Sequence, residues 1–133
     1  MLGIPKKIIA KSVYSKNGID LQTSMILDNE KGQSILHASI NSESDMKAVI
    51  GGTQGHIQLN APWYVADGYS IVKDNQEEVF NLPNLGKGYA HEAIECHDCI
   101  RNNQVESEFW SHQNSLDLSK IVEEIKIQIK LRF

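Results

Sequence analysis

Hydrophobic residues change their period once along this chain. Between residues 6 and 82 they fall in short runs broken by turn formers, and from residue 89 onward they recur every three or four positions. Residues 6–14 carry Ile8, Ile9, Val13 and Tyr14, β-branched or aromatic side chains that suit a strand, and Asn17-Gly18 then supplies residues that tolerate a tight turn. Residues 21–27 alternate, with Leu21, Thr23, Met25 and Leu27 on one face and Gln22, Ser24 and Ile26 on the other, until residues 28–32 break the pattern. Residues 34–40, 46–50 and 56–59 read as three further strands, the last two joined across Gly51-Gly52-Thr53-Gln54-Gly55. Residues 69–73 and 78–82 flank Asp74-Asn75-Gln76, which has the composition of a hairpin turn.

Helical spacing then takes over. Tyr89, Ala93, Cys96, His97 and Ile100 form one stripe, and Asn102-Asn103 closes a helix over residues 89–101. A second helix follows Asn114 or Ser115, either of which can cap it, with Leu118, Ile121, Val122, Ile125 and Ile129 in its stripe. Strands first and helices last predict an α+β domain spanning residues 1–133. Its sheet is open and mostly antiparallel (mixed), of about six to seven strands, with the helices on one face, because parallel strands would need a crossover helix between each pair. Several strands carry apolar residues on both faces, Ile8 beside Ile9 and Ile35 beside Leu36, and two helices cover one face of such a sheet. Something else is expected on the other.

Composition narrows the partners. The chain has 133 residues, 41% hydrophobic and 23% charged, with no repeat or low-complexity tract, so one ordered domain is expected. A net charge of −4 with scattered lysines lacks the positive stripe that holds a phosphate backbone, which argues against nucleic acid. No apolar run reaches the roughly 18 residues that span a bilayer, and no export signal follows the basic start, so the expectation is no membrane and a cytoplasmic home. The two cysteines, Cys96 and Cys99, are too close to staple distant parts of a fold, which also favours a reducing compartment.

Several local patterns resemble chemistry without completing it. Cys96-His97-Asp98-Cys99 fits a redox or half-zinc spacing, but the thiols fall in the second and third turns of the predicted helix rather than at its amino end, and no second pair exists; they read as buried helix residues. His91-Glu92-Ala93-Ile94-Glu95 has Glu95 where the zinc-binding motif needs a second histidine. Gly51 to Gly55 lies between strands, and Gly86-Lys87-Gly88 precedes a helix with no strand–helix–strand unit around it, so neither cradles a dinucleotide. No nucleophile elbow occurs. Trp63-Tyr64 and Trp110-Ser111-His112 are aromatic-bearing irregular segments that either line a pocket or lid the core.

Taken in order, Leu2-Gly3-Ile4-Pro5, Gly52-Thr53-Gln54-Gly55-His56-Ile57, Ala61-Pro62-Trp63, Gly88-Tyr89-Ala90-His91-Glu92-Ala93, Cys99-Ile100-Arg101, Glu106-Ser107 and Ser115-Leu116 resemble the glucose-fructose oxidoreductase, inositol dehydrogenase and MocA group, and within it the dimeric trans-dihydrodiol dehydrogenases. The resemblance implies the carboxy-terminal domain of an NAD(P)-dependent oxidoreductase acting on a small-molecule sugar, polyol or diol. It also implies that the family's amino-terminal Rossmann domain, with its glycine-rich loop and catalytic lysine, is absent from this chain. The chain alone is then expected to bind no cofactor and to be inactive, with NAD or NADP serving the intact parent. Trp63 matches a tryptophan of the substrate pocket, and Leu85 falls near another pocket position; His91 is given no role. No catalytic residue and no metal ligand is implied. The uncovered sheet face is implied to form a homodimer. Departures from the family pattern occur at Glu108 and at residues 130–133. Two alternatives remain open: a stand-alone binding module derived from that domain, and a metal or redox protein built on Cys96 and Cys99.

Overall fold

A computed structural model describes residues 2–86 and 88–131. Two compact units emerge, one of Met1–Glu43 with Glu108–Phe133 and one of Ser44–Ser107. The architecture is α+β, and every strand pairing among the described residues is antiparallel. The expected meander of seven strands is present, but its hydrogen bonds join it as a three-stranded and a four-stranded sheet. Which strands neighbour one another is a long-range matter that alternation within a strand does not encode.

The first unit holds β1 (Lys7–Tyr14), β2 (Asp20–Asn29) and β3 (Gly32–Ser39) in that order, with the carboxy-terminal helix α2 (His112–Ile129). Registers align Ala10, Met25 and Leu36 on one face and Ile9, Ile26 and Ile35 on the other. Helix α2 packs on β1, and its Val122, Ile125 and Ile129 share an apolar groove with Leu21, Thr23 and Met25. Ile129 is buried there, which contributes about 2 kcal/mol by apolar transfer. Thr23 is buried too, and its hydroxyl is satisfied by Ser12 Oγ at 2.5 Å.

Helix α2 also seals an edge. β1 ends the sheet, and the Gln128 side chain accepts from Ala10 N at 2.8 Å and donates to Ile8 O at 2.8 Å, doing for this edge what a neighbouring strand would do. The Tyr14 hydroxyl donates to Ile129 O. The opposite sheet face stays open, with Ile9, Ile26 and Ile35 at 52%, 39% and 81% exposure.

The cap of helix α2 lies three residues before the first predicted one. Ser111 caps it, accepting from Asn114 N at 3.2 Å, while Ser115 is occupied by a hydrogen bond from Trp110 Nε1 at 2.9 Å. At the other end Lys130 adopts the left-handed conformation, and Lys130 N and Leu131 N donate to Ile127 O and Lys126 O, a Schellman closure. The departures noted at residues 132 and 133 lie outside the described residues.

The second unit holds β4 (Ala48–Gly52), β5 (Gly55–Leu59), β6 (Gly68–Lys73) and β7 (Gln76–Asn81) in sequence order, then helix α1 (Tyr89–Arg101). Ile50, Ile57 and Ile71 align across one face, and Tyr69 stacks on Phe80 with ring centroids 4.8 Å apart. The β6–β7 turn is the two residues Asp74-Asn75, both at positive φ, so Gln76 already belongs to β7. Gly68 is required by close approach, since a Cβ there would run into the Phe80 carbonyl oxygen.

Helix α1 has the predicted bounds but not the predicted facing. Tyr89, Ala93, Cys96, His97 and Ile100 are exposed, while Ala90, Glu95 and Cys99 are half-buried. Ser107 Oγ donates to Glu95 Oε1 at 2.5 Å, which anchors that polar face inward. The reading of both cysteines as buried is therefore corrected: Cys96 is exposed and Cys99 only half-buried.

Candidate functional site

The second unit contains an open cleft of about 1300 Å³, the largest described. One wall is the segment after the cis Ala61–Pro62 peptide, where Trp63–Val65 makes a single 3-10 turn. Such a turn is too short to leave a periodic signature, so only its Pro62-Trp63 composition was visible in the sequence. Trp63 N donates to Met46 O at 2.9 Å and Val65 N to Pro62 O at 3.0 Å, fixing the turn against the start of the unit. Trp63 and Tyr64 meet edge to face at 5.8 Å, and both line the cleft.

The other wall is the segment from the end of β7 into α1: Asn81, Pro83, Asn84, Gly86, Gly88, Tyr89, His91 and Glu92. Its backbone is tied down at few points. Leu82 N donates to Asp67 O at 2.7 Å, and Leu85 N donates to His91 Nε2 at 3.4 Å. Asn84 Nδ2 donates to both Val65 O and Ala66 O, at 2.8 and 3.0 Å, so one side chain joins the two walls. Asp67 is held by Asn60 Nδ2 at 2.9 Å, leaving its carboxylate on the lining.

Trp63, matched by resemblance to a pocket tryptophan, is on the cleft wall. Leu85 does not line the cleft, though its neighbours Asn84 and Gly86 do, and its amide is part of the wall's support. His91, given no role from sequence, is a lining residue, as are Asp67, Asn84 and Glu92. Their type carried no motif; the visible signal for His91 was its place one turn into a helix that follows a glycine-rich loop.

An aromatic wall with hydroxyl-sized polar groups suits a small polyhydroxylated or cyclic ligand, with apolar ring faces against indole and hydroxyls against carboxylate, amide and imidazole. The same residues do not fit a dinucleotide. All pairings are antiparallel, Gly51 to Gly55 belongs to the β4–β5 hairpin, and the amino end of α1 carries Glu92 in its first turn, which repels a pyrophosphate. No group of three His, Cys, Asp or Glu able to hold an ion occurs among the described residues. His91 bonds Leu85 and Glu95 bonds Ser107. Desolvation in its half-buried position, then the neighbouring Glu95 carboxylate, raises the Cys99 thiol above the ordinary cysteine range, the reverse of redox activation. No described helix is long and apolar enough to cross a membrane.

A scan of protein-family profiles finds no match. Individual proteins do match. The chain is 29% identical over 132 residues to scyllo-inositol 2-dehydrogenase (NADP(+)) IolU of Bacillus subtilis, covering 97% of this chain and 39% of that protein. It is 28% identical over 138 residues to trans-1,2-dihydrobenzene-1,2-diol dehydrogenase of Oryctolagus cuniculus, covering 97% and 42%. The chain is thus homologous to Gfo/Idh/MocA-type dehydrogenases. It spans about two-fifths of the length of the curated relatives it matches. Among solved structures, UDP-N-acetylglucosamine 3-dehydrogenase GnnA from Acidithiobacillus ferrooxidans superposes with a TM-score of 0.79 over 95% of this chain and 40% of its own, at 12% identity, a likeness of fold.

Proposed function

We propose that this chain is the substrate-side and dimerisation domain of an NAD(P)-dependent oxidoreductase acting on a CH–OH group of a sugar, polyol or diol, and that it does not catalyse alone. The observation that carries this reading is the cleft: Trp63 offers an apolar wall, Asp67, Asn84, His91 and Glu92 offer hydroxyl partners, and the described lining residues form no dinucleotide cradle. Hydride transfer needs a cofactor held against the substrate carbon, so the dinucleotide must come from a separate domain. Coverage of 39% and 34% of two NADP(+)-dependent relatives supports the same division of labour. Dimerisation is assigned to the open face of the first sheet, where Ile9, Ile26 and Ile35 stand in one row across three strands.

The test is direct. Purified chain mixed with NADP+ and scyllo-inositol, or with trans-1,2-dihydrobenzene-1,2-diol, is expected to form no NADPH, and NADPH fluorescence is expected to be unchanged by the chain up to tens of micromolar. Sedimentation should give a dimer that Ile26→Lys converts to monomer. Turnover by the chain alone, or micromolar NADPH binding, would sink the reading; a monomeric parent chain would remove its dimer part.

A further inference from the structure

We propose that Asn84 and His91 are positioning residues of the cleft, Asn84 joining its two walls and His91 bracing the second wall from within, and that His91 does so in one fixed neutral tautomer. The inference rests on the reading of this cleft as the substrate side, but its geometry can be examined with no substrate present. The described residues between β7 and α1 belong to no strand or helix, so side chains that reach them add to the few backbone bonds that set their position. Asn84 is the crossing point. Its two amide hydrogens meet the carbonyls of Val65 and Ala66, which assigns the amide's orientation, since the oxygen in that place would face two acceptors. The Trp63 turn and the wall before α1 are thereby bound through one side chain.

His91 braces the second wall from within. A backbone amide can only donate, so Nε2 must be unprotonated to accept from Leu85 N, and the neutral ring then carries its hydrogen on Nδ1. The consequences are coupled. Fixing Leu85 N sets where the Leu85 side chain and Gly86 stand, and it also turns His91 into an N–H donor on a lining that already carries the Asp67 and Glu92 carboxylates. Donor and acceptors together match hydroxyl groups better than a charged head group of either sign.

The whole chain labelled with 15N is the sample. At pH 8, His91 in the unmodified chain should show an unprotonated Nε2 and a protonated Nδ1. His91→Ala should speed Leu85 amide exchange about tenfold while leaving the urea midpoint unchanged, and His91→Gln, whose oxygen can still accept, should restore most of the protection. In a Trp110→Phe background, where Trp63 is the remaining tryptophan, Asn84→Asp should raise acrylamide quenching of Trp63 at least about twofold, because the carboxylate repels both carbonyls. A protonated Nε2, or Leu85 exchange within twofold of the parent in His91→Ala, overturns the His91 assignment. Unchanged quenching in Asn84→Asp overturns the Asn84 assignment. None of these readouts involves NADPH or a polyol, so their failure leaves the proposed function standing, and NADPH binding by the chain would leave them standing.

Discussion

Gln128→Ala should cost the first unit about 2 kcal/mol, a large loss for one residue near the end of a helix. The side chain makes two hydrogen bonds of 2.8 Å to the β1 edge, joining residues 118 and 120 positions apart in the chain. Each contributes about 1 kcal/mol net, and more where the abandoned backbone group stays shielded from water, as part-burial of both contacts implies. Helix propensity works weakly in the other direction, because alanine is only a few tenths of a kcal/mol better than glutamine. Loss of the Gln128 Nε2 bond to Glu124 on the same helix adds little, as it is exposed.

Urea unfolding followed by circular dichroism measures the effect: with a slope of about 2 kcal/mol per molar, the midpoint should fall by about 1 M. Gln128→Glu is the informative companion. Its carboxylate can still accept from Ala10 N but confronts the Ile8 carbonyl and Glu124, so it should lose at least half as much as alanine does. Hydrogen exchange at Ala10 should accelerate in Gln128→Ala ahead of global unfolding. A midpoint shift below about 0.2 M, or unchanged exchange at Ala10, would refute the claim that Gln128 stands in for a neighbouring strand.

Other expectations follow from single contacts. Ser111→Ala removes the cap of α2 and should lower stability by about 1 kcal/mol in the same urea assay, whereas Asn114→Ala, at one of the two caps expected from sequence, should cost less. Gly68→Ala drives a methyl group into the Phe80 carbonyl and should destabilise the second unit by more than about 2 kcal/mol, visible as lost protection of the β6 amides. Glu95→Gln removes the carboxylate contribution that, after desolvation, raises the Cys99 thiol; a lower pKa means more thiolate at a given pH, so alkylation of Cys99 at pH 8 should become faster, with Cys96 as the internal comparison. An unchanged or slower Cys99 rate would contradict that assignment of cause.

What could be read in the sequence followed the range of each interaction. The two faces of β2 were legible because alternation is local, and the structure gives Leu21, Met25 and Leu27 half-buried and Thr23 buried opposite exposed Ser24 and Ile26. The Asp74-Asn75 turn and the bounds of α1 were legible for the same reason. The start of α2 was misread because three candidate caps lie within five residues, and only the tertiary position of Trp110 decides that Ser115 is spoken for. The facing of α1 could not be inferred from its apolar stripe, since Ser107 and Glu95 settle the orientation through a hydrogen bond across a turn. Asn84 acquires its role only when two wall segments nearly 20 residues apart meet, and His91 only when the chain between Leu85 and the helix folds back on its ring.

The exposed stripe on α1 and the isoleucine row on the first sheet belong to one larger fact. The chain exposes 10841 Å². A monomer of its 14.9 kDa would expose roughly 7000 Å², and even two separate bodies of half that mass would expose roughly 8500 Å². The excess is therefore at least about 2000 Å². A standard interface removes about 800 Å² from each partner, so a dimer of that size through Ile9, Ile26 and Ile35 would account for less than half of it. Tyr89 and Ile100, at 74% and 72% exposure on α1, mark apolar surface that this dimer row does not include. On the proposed reading, a dinucleotide-binding domain would be a second covering body. Joining the chain to a dinucleotide-binding domain should therefore reduce its binding of a hydrophobic dye such as anilinonaphthalene sulfonate by more than Ile26→Lys increases it. Dye binding that stays unchanged on joining would mean that the excess apolar surface is not the seat of that domain.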